Sequence, residues 1–264
     1  AGFLLFNGTE AGVMCPVSMS YAVTPALRAN AALYAEWGPG LTAPVYDPRP
    51  LPGPRKNGLT MGMGMTEKQG GSDLRANTSR AEFDQDTPWG RCFRLTGHKW
   101  FFSAPMSDAH LMLAQTAAGP TCFFVPRLLP DGTRNALRIQ RLKDKLGNHA
   151  NASSEIEFDG AAGWLVGEEG RGIAQILEMG TLTRLDCALG SAGLMPGAGA
   201  GAAPLRAAQC LRQETHRAAA DAQRAGRPGA GSGGRHGAGD APGPRRGPWR
   251  ARGRRARGGL AAAA

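Results

Sequence analysis

No apolar run in this chain reaches the ~18 to 20 residues that a membrane-crossing helix needs. The opening, Ala1-Gly2-Phe3-Leu4-Leu5-Phe6, is too short for a secretory signal and lacks a basic start. Paired cysteines are also missing. Cys15, Cys92, Cys122, Cys187 and Cys210 are odd in number and contain no Cys-x-x-Cys, so they indicate neither a disulfide framework nor a zinc site. Reduced thiols in a cytoplasmic setting are the expectation. The histidines (His98, His110, His149, His216 and His236) show no metal-ligand spacing.

Residues 196–264 lack most of what a core needs. They contain one Trp and three Leu, with no Phe, Tyr, Ile or Val, and 35 of the 69 are Gly or Ala. Such a segment cannot bury enough apolar surface to offset the entropy of ordering, so it is expected to be disordered, with transient helix at 206–225. It also carries 13 Arg, no Lys and three acids. Residues 1–195 carry 18 Lys and Arg against 18 Asp and Glu, so the chain's net charge of +10 resides in this tail. The high isoelectric point therefore says nothing about partners of the rest.

The remaining sequence changes character along its length. Residues 17–36 are Ala-rich and helical in pattern, and Pro25 is expected to divide them into two helices. Residues 38–58 are crowded with Pro and Gly and read as a linker. Short strand patterns follow at 61–66, 76–83, 91–96, 98–103, 109–116, 121–126, 137–142 and 153–159, several of them separated by turn signals. No helical crossover lies between them, which points to an antiparallel barrel or sandwich. From Gly172 the apolar residues Ile173, Ile176, Leu177, Met179, Leu182, Leu185 and Leu189 recur mostly at three- and four-residue steps, predicting a helix over 172–194. The expected class is α+β, with four parts: 1–60 helical with a linker, 61–168 β, 169–195 helical, and 196–264 low in complexity.

Two stretches carry the chemistry. Gly62-Met63-Gly64-Met65-Thr66-Glu67-Lys68-Gln69-Gly70-Gly71-Ser72-Asp73 places a hydroxyl and a glycine turn a few residues apart. Gly97-His98-Lys99-Trp100-Phe101-Phe102-Ser103 follows about thirty residues later. An isoalloxazine ring needs donors along its polar edge and an apolar shelf on one face, and a diphosphate needs donors without bulk. Thr66 and Ser103 offer hydroxyls, Met65, Phe101 and Phe102 apolar surface, and Gly71 and Ser72 backbone N–H groups in a concave turn. Each piece alone reads more simply as a strand, a turn or core. The start of the first stretch also resembles a dinucleotide fingerprint, but Glu67 stands where its third Gly belongs and no βαβ unit surrounds it. His98 reads as a strand residue and hydrogen-bonding partner, and Lys143-Asp144-Lys145 as a solvated charged turn.

Together the two stretches resemble the flavin-contacting segments of the acyl-CoA dehydrogenase family, with wording nearest to its alkylation-response branch. Lys143-Asp144-Lys145-Leu146-Gly147-Asn148 and Leu165-Val166-Gly167-Glu168-Glu169-Gly170-Arg171-Gly172 are similar to further family segments. The resemblance covers about residues 10–195. It implies FAD held by Met65, Thr66, Gly71, Ser72, Phe101, Phe102 and Ser103, where position 101 is commonly Trp in the wider family. It implies an acyl-CoA-type substrate with Arg184 near it, a homotetrameric parent, and association with DNA in the alkylation-response branch. Thr181 stands where the wider family has Asp, a departure from ordinary acyl-CoA recognition. Asp186 is read as a partner of Arg184, a contact to a neighbouring chain, or an exposed helix charge. The family supplies its catalytic Glu from a later helical bundle. Glu214 is the only Glu beyond 195 and lies outside the resemblance, so no catalytic base is assigned. The start without Met reads as the interior of a longer protein. Arg without Lys among Gly, Ala and Pro suggests a shifted reading frame near Met195, leaving the C-terminal helical domain missing or replaced.

Overall fold

The computed structural model describes residues 2–7 and 10–194. The expectations for the tail, Glu214 and the reading frame lie outside these residues. α1 (Gly2–Asn7), α2 (Met14–Leu27) and α3 (Ala31–Leu41) precede seven strands, and α4 (Gly172–Leu194) follows them. The strands are β1 (Met61–Gly64), β2 (Arg80–Thr87), β3 (Gly90–Ser103), β4 (Ala109–Thr116), β5 (Gly119–Pro126), β6 (Leu137–Leu142) and β7 (Ser153–Leu165).

Pro25 does not divide the first helix. It sits in the last turn of α2, and the Thr24 hydroxyl donates to the Tyr21 carbonyl that Pro25 cannot serve, 2.8 Å away. The break falls instead at Asn30, which caps α3 by accepting from the Leu33 N–H at 3.1 Å. Its amide also donates to the Trp89 and Leu165 carbonyls, each at 2.9 Å, tying the helix to the strands. The expected linker starts later than its composition suggests, because α3 continues through Pro39 to Leu41.

The pairings β1–β3, β3–β7, β7–β5, β5–β4 and β4–β1 close into a ring, with β2 and β6 added alongside. This is the barrel of an α+β protein. The sheet is not wholly antiparallel. β1 runs parallel to β4, joined not by a helical crossover but by the β2–β3 hairpin. The two strands expected at 91–96 and 98–103 are one strand, since Gly97 bends β3 without ending it.

The barrel interior holds Phe93, Leu95, Phe102, Met112, Phe123, Val125, Ile156 and Phe158. A second core packs the helices on the outer face, where Trp37 meets Phe124 edge-on at 4.6 Å and Trp89 meets Trp164 at 5.0 Å. Ile176 and Met179 of α4 join this core, while Leu185 and Leu189 are exposed. Among the described residues there is no disulfide, no metal-holding group of three or more His, Cys, Asp or Glu, and no helix long and apolar enough to cross a membrane.

Candidate functional site

Strand pairing brings the two motif stretches together. Met63 lies opposite Ser103, and Gly64 opposite Phe102, in the β1–β3 ladder. Where β1 ends, the Trp100 N–H still donates to the Thr66 carbonyl at 2.8 Å, so the ladder contact continues into the turn. Thr66 and Ser103 are half-buried, and Gly71 and Ser72 are exposed beyond them.

The turn is built on glycine. Gly70 has φ +113°, a conformation that side chains rarely adopt. A Cβ on Gly71 would lie 2.8 Å from the Thr66 hydroxyl oxygen, so any larger residue there would have to displace that hydroxyl. Among the described residues, neither the Gly71 nor the Ser72 N–H has an acceptor. Free amides beside a hydroxyl, without side-chain bulk, suit a diphosphate.

Phe101 and Phe102 do not share a task. Side chains alternate along a strand, and Phe102 points into the barrel, fully buried against the His110 ring at 4.2 Å. The aromatic surface left for a ligand is Phe101, 47% exposed, with Met65 partly buried. The Lys143 ammonium lies 4.6 Å from the Phe101 ring centre and 3.4 Å from that of Trp100. Lys143 also pairs with Glu155 at 2.7 Å, and Lys145 donates to the Asn151 carbonyl and the Ser153 hydroxyl. The charged turn is thus partnered rather than simply solvated, because the neighbouring strands supply acceptors. A cavity of about 510 Å³ lined by Lys68, His98, Trp100, Arg138 and Glu155 lies beside this cradle, sharing β3 but not Thr66 or Ser103.

The structure adds a pair that the motifs did not reveal. Glu67 and Lys99 are fully buried, with Nζ 2.7 Å from Oε1. Burial pushes the Glu67 carboxyl up, but the Lys99 ammonium and the Thr78 and Ser79 donors outweigh it and hold the group down at about 2. The available signal was a lysine amid the apolar residues of Trp100-Phe101-Phe102. Its partner, 32 positions away, was not legible. His98 acts as expected of a hydrogen-bonding residue, its Nε2 accepting from the Lys68 N–H at 3.2 Å.

On α4, Arg184 is exposed and has no ion pair among the described residues. Asp186 is not an exposed helix charge, and it makes no ion pair with Arg184 among the described residues. It is buried and accepts hydrogen bonds from the Ser18 and Tyr21 hydroxyls of α2. Burial, and then this carboxylate, push the Tyr21 phenol up to about 12.

Comparison with known proteins bears on the family and the fold. Residues 62–161 match the acyl-CoA dehydrogenase middle domain, and residues 1–48 match the adaptive response protein AidB N-terminal domain. The chain belongs to the acyl-CoA dehydrogenase family. Within that family it is similar to AidB-type members. It is 58% identical over 196 residues to the putative acyl-CoA dehydrogenase AidB of Escherichia coli (strain K12), covering 74% of this chain and 36% of that protein. It is 32% identical over 207 residues to acyl-CoA dehydrogenase family member 11 of Caenorhabditis elegans, covering 74% and 32%. The crystal structure of Caenorhabditis elegans ACDH-11 in complex with C11-CoA superposes with a TM-score of 0.62 at 30% identity, over 73% of this chain and 33% of that one. The chain spans about a third of the length of these curated relatives.

Proposed function

We propose that this chain carries the flavin-holding part of an FAD-dependent oxidoreductase acting on acyl-CoA-type substrates. The observation that carries the reading is the junction of the two motif stretches, with Met63 opposite Ser103 and the Trp100 N–H on the Thr66 carbonyl. FAD, when bound, supplies a two-electron acceptor for the CH–CH bond of the acyl chain. The Thr66 and Ser103 hydroxyls and the Met65 and Phe101 surfaces would hold the ring. The Gly71 and Ser72 amides would hold the diphosphate. Phe102 supports the cradle from inside the barrel, and Arg184 would meet the acyl-CoA-type ligand from α4.

Thr66→Ala combined with Ser103→Ala removes two hydrogen-bonding groups, each worth about 1 kcal/mol. FAD titration followed by flavin fluorescence is expected to show a Kd raised by about tenfold or more. Glu82→Ala, on the exposed side of β2, is expected to leave it unchanged. Equal affinity in all three proteins overturns the assignment.

The match of residues 1–48 to an adaptive-response domain favours a second reading, a flavoprotein of the alkylation response that associates with DNA. Flavin bleaching by an acyl-CoA supports the first reading. DNA affinity that survives removal of residues 196–264 supports the second, and affinity lost with them reduces it to charge in the tail.

A further inference from the structure

The segment between Glu67 and Thr78 contains every turn residue assigned to the diphosphate, and its two ends meet at one carboxylate. Glu67 accepts from Lys99 Nζ at 2.7 Å, the Thr78 N–H at 2.6 Å, the Thr78 hydroxyl at 2.9 Å and the Ser79 N–H at 3.2 Å. The outgoing limb, the returning limb and β3 are therefore fastened at a single point. Other bonds brace the same segment. Asn77 donates to the Met65 carbonyl at 2.8 Å, and Gln115 donates to the Arg75 and Asn77 carbonyls at 2.9 and 3.0 Å.

A buried ion pair is a weak source of net stability, because desolvation offsets most of its attraction, and an apolar pair of similar volume often does as well. Its distinctive property is directional: the carboxylate fixes its four donors in space. Lys99 touches neither the free amides of Gly71 and Ser72 nor the Thr66 hydroxyl. It reaches them through Glu67.

We propose that Lys99, acting through Glu67, is a positioning residue that sets the course of residues 66–72 and thereby determines how tightly the chain retains FAD. The inference rests on the flavin reading above and extends it to a residue outside the cradle.

The test compares the full chain with Lys99→Met, Glu67→Gln, the double variant Glu67→Gln/Lys99→Met, and Leu95→Ala. The last substitution removes barrel core on the same strand without removing any of the four donors to the carboxylate. FAD affinity, melting temperature and amide hydrogen exchange are measured on each. Lys99→Met and Glu67→Gln are expected to weaken FAD binding by about tenfold and to speed exchange selectively in residues 67–79. The double variant is expected to regain melting temperature without regaining affinity. Leu95→Ala is expected to lower the melting temperature while keeping affinity near that of the unsubstituted chain. If Lys99→Met does not fold, Glu67→Gln, which preserves the shape of the site, decides alone. Unchanged affinity and exchange in the folded variants overturn the proposal, as does an equal loss of affinity in Leu95→Ala. Failure of the unsubstituted chain to bind FAD overturns the flavin reading instead, while the exchange data still decide whether the pair holds the segment.

Discussion

Phe101 and Phe102 are adjacent in sequence but face opposite sides of β3, one toward solvent and one against His110. The motif indicated aromatic residues; only the pleat of the strand decides which of them a ligand can touch. His110 has consequences of its own. Burial, opposed by its bond to the Ala104 carbonyl, lowers its pKa from 6.5 to about 4. Protonation therefore favours the unfolded chain. This contribution is complete above about pH 6.5 and is lost as the pH falls toward 4. Glu67, lowered from 4.5 to about 2, contributes stability that is complete above about pH 4.5 and is lost toward pH 2. Urea midpoints are expected to fall in two stages on acidification. His110→Gln, which cannot titrate, should remove the upper stage. A midpoint in that variant that still falls between pH 6.5 and 5 contradicts the assignment.

At the scale of elements, periodicity and turn chemistry carried far. The α4 helix, β4 and β6 fall where apolar spacing and flanking turns put them. Failures occurred where a local signal was cancelled by a distant or neighbouring group. Thr24 neutralised the helix-breaking effect of Pro25, and Gly97 marked a bend within β3 rather than its end. The fastening of α2 to α4 was also hidden, because Asp186 meets Ser18 and Tyr21 across more than 160 positions. Asp186→Ala would leave these hydroxyls without their acceptor, at a cost of about 1 to 3 kcal/mol. A lower melting temperature with faster exchange in α2 and α4, and the barrel strands unaffected, is the expected result. Uniform faster exchange throughout would show that the two helices are not a separable unit.

For the molecule as a whole, the barrel matters because closure brings together stretches about thirty residues apart in sequence. That the stretches holding Thr66, Gly71, Ser72 and Ser103 bear apolar, hydroxyl and glycine-turn residues was legible in the sequence; their adjacency, and the Glu67–Lys99 clamp, required the strand pairing to be seen. Breaking that clamp with Lys99→Met leaves a buried carboxylate uncompensated and is expected to cost about 3 to 5 kcal/mol of folding stability, read as a lower urea midpoint. The most direct test of the central claim, that both motif stretches form one cradle for FAD, is an FAD titration of isotopically labelled protein followed by amide resonances. Thr66, Gly71, Ser72, Phe101 and Ser103 are expected to shift together along one binding curve. Shifts confined to one stretch, or located elsewhere on the barrel, would contradict it.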